Sequence, residues 1–490
     1  MKRILMRSGK SPFDVVTHEE YIHRDLLGTN TGNLLFSDSV HKLLTLPGTE
    51  VVSNGIRTDT SAERAARINE EYDAFVIPLA NAFRTDWKKS LDRLSALVEQ
   101  LTIPVVVIGV GAQVGEDYAT ETLRPIEESV KRFVRAVLER SATIGVRGEL
   151  TASYLKGLGF DAVDIIGCPS MFLHGDTFPA PREPGDFGPG SRIALNLSPD
   201  ALPVGDVAGL ARHAHERFPH LMYYAQNLVD AELLFWGDTS EAEGRHDPFP
   251  LQMTHPLFAE DKVRVPVDPA TWLAELAGYD FAYGTRIHGN IAALLAGTPA
   301  VMLAHDSRTL ELCRYFGIPY RLLSETPADI PPEKLYEQAD YRELTGGHRE
   351  RFARMVAFLD RNGLRNTYTH GDRGAAFDAR VAALDLPPSI GAWDGSDDGA
   401  MRYRISRLRA RIAANAEKTA AANRKITGLT KRLTDAEKKN TALTARLTSL
   451  EKQLAAVTDR VTKTEKRVTG IDKRVMVRLG PALRRRLRRG

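Results

Sequence analysis

The sequence predicts an α/β protein of two tandem units, each a parallel sheet covered by helices, followed by a long C-terminal coiled coil. Three observations predict it. Short β-branched runs alternate with helical spacing over residues 1–178. The same alternation restarts at residue 191, after a stretch rich in Pro and Gly. An apolar heptad then runs from residue 401 almost to the end. At 490 residues the chain exceeds what one hydrophobic core serves, so two or three domains are expected.

In the first unit, "DAFVIPLANAF", "IPVVVIGVGAQ", "ATIGVRG" and "AVDIIGCPSMFL" read as buried strands bounded by Gly or Pro. Between them "WKKSLDRLSALVEQL", "RPIEESVKRFVRAVLERS" and "ELTASYLKGLG" carry helical spacing. The segment "HGDTFPAPREPGDFGPGSR" reads as a linker. In the second unit, 191–370, the strands are "RIALNLSP", "LMYYAQN", "VRVP", "DFAYG" and "PAVMLA", and the helices "PATWLAELAG", "RIHGNIAALLAG" and "TLELCRYFG". Two such Rossmann-like units form a cleft between the C-terminal edges of their sheets, where open α/β sheets bind ligands.

Residues 371–400, rich in Asp and Gly, read as a flexible connector. Beyond them one heptad position runs from Ile405 to Val475 and the other, three residues later, from Leu408 to Ile471. About ten heptads over 401–476 give a rod roughly 105 Å long. Asn440 at an a position favours a parallel homodimer, as against one long helix folded back on the body.

The charge is divided. Residues 401–490 hold about 26 Lys and Arg against about 7 Asp and Glu, roughly +19, which leaves the first 400 residues near −16. The basic tail, 477–490, interleaves Arg with Leu. It suits an anionic membrane surface or is a solvated helix end, and it lacks the aromatic pattern of a nucleic-acid site. The apolar runs "IPVVVIGVGA" and "IAALLAGTPAVMLA" fall short of the roughly 20 residues of a membrane span. The start has no signal-peptide core. Two cysteines, Cys168 and Cys313, make neither a disulfide framework nor a zinc site. They read as small buried hydrophobes in a reducing cytoplasm.

Three clusters can carry chemistry. In "LLGTNTGNLLF", Asn30, Gly32 and Asn33 lead into a helix whose first N–H groups can hold a phosphate or carboxylate; a tight turn with an Asn cap reads the same way. Arg147 ends a strand in "IGVRGEL", either to grip an anion bidentately or to pair with a surface carboxylate. In "DFAYGTRIHGN", Arg286, His288 and Asn290 cross a strand-to-helix turn between Gly284 and Gly289, and "AHDSR" ends the next strand with His305, Asp306 and Arg308. Two successive strand ends thus present polar groups to one edge. No closely spaced metal-ligand set accompanies them, and no cofactor is expected.

With "VVVIGVGA", "GCPSMFL" and above all "GTRIHGNIAALLAGTPAVML" followed by "HD", these segments resemble the polysaccharide pyruvyl transferases, in the same order and over roughly residues 26–320. The resemblance implies a GT-B-like arrangement of the two domains. It implies transfer of a pyruvyl group from phosphoenolpyruvate to sugar hydroxyls of a cell-surface glycan, giving a ketal and phosphate. Arg147 and Arg286, with Arg308 as a third, would hold the donor, and His288 would be general acid. His305, Asp306 and Asn33 are candidates for the base. Where many members carry Asp, this chain has Asn33, and where they carry Asp-Pro it has Cys168-Pro169. The expected location is cytoplasmic, peripheral to the membrane's inner face. Two other readings stand beside this one. One is a GT-B glycosyltransferase using Glu311 on a nucleotide ribose. The other is a non-catalytic scaffold on a coiled coil.

Overall fold

The structure, a computed structural model, describes residues 2–24, 26–28, 30–183, 186–237, 248–393, 395 and 398–486, without the side chains of 398, 400, 479 and 481–486. Residues 1–394 and 395–490 form two compact units.

The first unit is an α/β body built on parallel sheets. One sheet contains β1 (Lys2–Met6), β2 (Thr49–Ser53), β3 (Ala74–Pro78) and β4 (Val105–Ile108) in the order β2-β1-β3-β4. β5 (Ile144–Val146) and β6 (Val163–Ile165) pair with each other, and a parallel bridge from Val110 to Val146 sets them beside β4. The run "AFVIP" of β3 and "VVVI" of β4 are buried along their whole length, as parallel strands covered on both faces must be. The segment "CPSMF", read as part of a strand, is instead a 3₁₀ turn over Pro169–Phe172, begun by the proline.

The second sheet contains β7 (Ile193–Asn196), β8 (Leu221–Tyr224), β9 (Val263–Arg264), β10 (Phe281–Gly284), β11 (Ala300–Ala304) and β12 (Tyr320–Leu322), ordered β12-β11-β10-β7-β8-β9 with every pair parallel. The chain leaves β7 toward β9 and returns to β10 on β7's other side. At that reversal two connections diverge and leave a crevice at the strand ends. The two sheets share one apolar cluster that joins Met6, Phe36 and Val106 to Ala282, Met302 and Phe316.

Later segments return to the first sheet. The Arg342–Arg361 helix brings Phe358 against Gly145, and Asn362 Oδ1 accepts from the amides of Ala142 and Thr143 at 3.0 and 3.2 Å. The first half is therefore completed by residues beyond 340. Nor is 371–400 a free connector throughout. Ala375–Ala382 is a helix that buries Phe377 against Phe13 and His41, and Lys42 pairs with Asp378 at 2.7 Å. Ile390 then bridges to Val265. Apolar Phe377 and Ile390 outweigh the Asp/Gly composition that suggested a linker.

In the second unit, Asp398–Arg486 is one helix of 89 residues, about 130 Å at 1.5 Å per residue. The heptad positions are exposed along the single chain, Leu433 by 60% and Leu454 by 67%. The last four residues of the basic tail lie outside the described residues. Among the described residues no helix is long and apolar enough to cross a membrane.

At the reversal between β7 and β10, Gly284 has φ of 149°, and a Cβ there would lie 1.8 Å from the carbonyl oxygen of Asn196. Gly284→Ala is expected to cost roughly 1–3 kcal/mol, from combined strain and overpacking, read as a lower urea midpoint at unchanged slope.

Candidate active site

Asn196, at the end of β7, organises the crevice. Its carbonyl accepts from Thr285 N at 2.8 Å and its Oδ1 from Arg286 N at 3.1 Å. Asn290, one helical turn further on, accepts from Asn196 Nδ2 at 3.2 Å and donates to Gly284 O at 3.1 Å. Asn290 is fully buried and committed to these bonds. It belongs to the scaffold, not to the substrate ligands the sequence suggested. Arg286 caps the Ile287–Leu295 helix, and its Nε donates to Leu197 O at 2.9 Å. Burial lowers its pKa, while Tyr223 and Asp230 nearby act in the opposite sense.

His288 points inward from the same turn and is 7% exposed. Phe36 meets its ring edge-on, Cys168 Sγ lies 3.6 Å from Nε2, and a Cβ at Gly32 would lie 2.4 Å from Nδ1. Gly32 thus allows the Gly32–Leu44 helix to close over the imidazole. Burial, reinforced by the charges of Arg147 and Arg308, lowers the His288 pKa to about 3. The ring is neutral in the unliganded protein.

Arg147 follows β5 and is 1% exposed. Its Nε and Nη2 have no hydrogen-bond partner. A Cβ at Gly111 would lie 3.2 Å from Arg147 Cδ, so glycine makes room for the side chain. Burial lowers its pKa, against which Cys168 and then Glu311 act. Leaving a buried guanidinium unpaired costs on the order of several kcal/mol. Arg308 approaches Asp306 Oδ2 at 3.2 Å, and its Nε is likewise unpartnered.

Asp306 is already occupied. Its Oδ1 accepts from Thr309 N at 2.9 Å as a helix cap, and its Oδ2 accepts from Gln113 at 3.3 Å. Burial pushes its pKa up, but Arg308, His305 and the Thr309 amide outweigh that and hold it low. Among the described residues neither ring nitrogen of His305 has a hydrogen-bond partner, Nε2 lies 4.0 Å from Asp306 Oδ2, and burial, more than any other cause, lowers its pKa.

The structure therefore brings together Arg147, Arg286, His288, Arg308 and Asp306, with His305 beside them. The 30–33 loop has a different part. Asn33 N and Leu34 N donate to Asn30 O and Thr31 O, so those amides are not open to an anion. Asn33 Nδ2 braces the preceding turn through Leu27 O and Gly28 O at 2.8 and 3.1 Å. Asn30 bridges to Asn227 at the seam between the halves. Glu311 accepts from Thr151 N at 2.9 Å at the start of the Glu149–Gly157 helix, which removes it as a ribose ligand. Sequence reasoning missed Asn196 and the contact of Cys168 with His288. The signal for the first was a polar residue inside the run "IALNL"; for the second there was none. Among the described residues no group of His, Cys, Asp and Glu is arranged to hold a metal ion.

Residues 30–307 match the family model described as polysaccharide pyruvyl transferase. The chain belongs to that family. The matched span opens at Asn30 and encloses Arg147, Arg286 and His288. No curated protein matches this pyruvyl transferase family member at a significant level. Among solved structures it is similar to the UDP-GlcNAc 2-epimerase of Methanocaldococcus jannaschii in complex with UDP-GlcNAc and UDP. The identity is 10% and the TM-score 0.41, over 74% of this chain and 99% of that one. It is also similar to the UDP-GlcNAc 2-epimerase of Neisseria meningitidis bound to UDP-GlcNAc, at 12% identity and a TM-score of 0.36, over 78% and 100%. Likenesses of this size carry no assignment of ligand.

The His288 environment has a measurable signature. A His whose folded pKa falls from 6.5 to about 3 contributes stability that is present above the unfolded value and lost as pH falls through the folded one. The stability difference between wild type and His288→Gln is therefore expected to shift against the wild type as pH falls from 7 toward 4. Urea unfolding at a series of pH values reads it.

Proposed function

We propose that this cluster binds phosphoenolpyruvate and transfers its pyruvyl group to sugar hydroxyls of a cell-surface polysaccharide or its precursor. The observation that carries the reading is Arg147, buried beside a neutral His288 with two guanidinium nitrogens unpartnered. With Arg286 and Arg308 it makes a set of forks suited to a carboxylate and a phosphate on one small frame.

The donor's negative charge offsets the field of Arg147 and Arg308, which adds to burial in lowering the His288 pKa. With the donor bound, the imidazole can carry a proton to the methylene carbon C3. A sugar hydroxyl oxygen adds at C2 and gives its proton to a base. The C2–O bond to phosphate breaks, the electron pair leaving with phosphate under stabilisation by the arginines. A second hydroxyl adds at C2, gives its proton to the departing phosphate and closes the ketal. Of the candidate bases, Asp306 is held by Arg308 and Thr309, and Asn33 by the 26–28 turn. His305, its pKa lowered by burial and its ring nitrogens without a hydrogen-bond partner among the described residues, is assigned the role.

The strand order of the second sheet supports a Rossmann-like unit there, and the shared crevice a GT-B-like arrangement. The glycosyltransferase alternative loses the residue it rested on, since Glu311 is committed to Thr151. The exposed apolar seam of the long helix supports a parallel homodimer.

Phosphoenolpyruvate is expected to raise the melting temperature of the full chain. Arg308→Lys should weaken that binding about tenfold or more, because an ammonium does not replace the fork. Arg147→Met should raise the melting temperature of the empty protein and remove the response to phosphoenolpyruvate. A retained response in Arg147→Met would sink the assignment. For the helix, analytical ultracentrifugation of the full chain should give a dimer that Leu447→Lys with Leu454→Lys converts to monomer; a monomeric wild type contradicts the homodimer.

A further inference from the structure

The body of the chain is acidic, near −16 over the first 400 residues, yet one groove in it is lined only by positive charge. Its inner part, about 640 Å³ with its open mouth included, is lined by Arg7, Arg84 and Trp87 and has no Asp or Glu among its lining residues. Through Arg7 and Trp87 it continues into an outer part that adds Arg24, Arg57 and Arg93, again without an acidic residue. Within the described residues no ion pair engages Arg7, Arg24, Arg57 or Arg93, and Arg84 meets Asp86, whose side chain is 71% exposed.

Arg7 donates to Ile56 O at 3.1 Å but has a buried Nε with no partner, and burial lowers its pKa to about 10. Its guanidinium lies 5.8 Å from the centre of the Trp87 ring. Four like charges without an ion pair among the described residues, with Arg84 and its exposed partner Asp86 beside them, repel one another, and the arrangement is relieved by an anion.

The groove reaches the catalytic cluster from the side of the first sheet. Phe36, which meets His288 edge-on, is also part of its inner wall. Asn81, another wall residue, donates to Gln113, which donates to Asp306 beside Arg308. Burial lowers the Arg84 pKa, Asp86 acts against it, and Arg308 is close enough to add to the lowering.

We infer that this groove receives the acceptor, and that the acceptor is an anionic glycan whose phosphate or carboxylate groups the five arginines hold while Trp87 packs against a sugar ring. The word acceptor rests on the pyruvyl-transfer reading; the recognition of an anionic glycan does not. Guanidinium forks suit both kinds of anion. The inner pair, Arg7 and Arg84, is placed for a group next to the reacting sugar, and the outer three for residues further along a chain.

The test is calorimetric binding to the full chain at low salt, with a galacturonate hexamer, glucose 1-phosphate and neutral maltohexaose as probes. At least one anion is expected to bind, more weakly as salt rises, and maltohexaose at least about tenfold less well. Binding of the hexamer assigns the groove to polymer carboxylates, and binding of glucose 1-phosphate to a sugar phosphate. Arg57→Glu with Arg93→Glu, both exposed positions, should lower the hexamer's affinity about tenfold or more, while Arg57→Lys with Arg93→Lys retains most of it. The stabilisation by phosphoenolpyruvate should be equal in all of these. The inference is overturned if neither anion binds, if maltohexaose binds as tightly, or if charge reversal leaves binding of the hexamer and of glucose 1-phosphate unchanged. Anion binding without any response to phosphoenolpyruvate would remove the pyruvyl-transfer reading and leave the groove as a site for anionic glycans.

Discussion

Positive charge kept out of water, with its counter-ion missing, governs the rest of this structure. Arg147 is 1% exposed and has unpartnered nitrogens, and Arg308 shares one carboxylate with a helix cap and a glutamine. Such an arrangement persists only where the surroundings over-determine it. Here the surroundings are a parallel sheet edge, a polar knot between Asn196 and Asn290, and glycines at 32 and 111 that let the backbone close against the His288 and Arg147 side chains. The stability given up at the cluster is the affinity available to an anion that enters it.

Burial is the main reason His288 is neutral, and the same field adds to it. An imidazole on the surface would carry a partial charge near neutrality; between two guanidinium groups and behind Phe36 it does not. Proton and anion are coupled in consequence, since whatever neutralises the arginines also makes the ring basic. Cys168 fills the place against Nε2 where a carboxylate would have kept the ring charged without any ligand.

Much of this was legible in the chain. Strands such as "VVVI" and "AVMLA" are short, apolar and closed by glycine or proline, and both are strands. The pairing of Arg286 with His288 across a strand-to-helix turn was visible, as was the polar end of the next strand. What escaped the sequence is of two kinds. β1, "KRILM", became a central strand only through pairing on both edges, and a five-residue run that opens on Lys and Arg does not announce that. The roles of Asn33, Asn290 and Glu311 were misjudged because a polar side chain near a site looks the same in sequence whether it faces a ligand or a backbone carbonyl. Only the partners at Leu27, Gly284 and Thr151 decide it.

The return of the Arg342–Arg361 helix to the first sheet determines where the chain can be divided. The chain crosses between the two halves in the stretch before β7, again before that helix, and once more between Phe377, which packs on Phe13, and Ile390, which bridges to Val265, so each half is made of two separated lengths of chain. Cutting at the first crossing would not release an intact N-terminal half, because Phe358 and Asn362, which close its outer wall, would stay with the other piece.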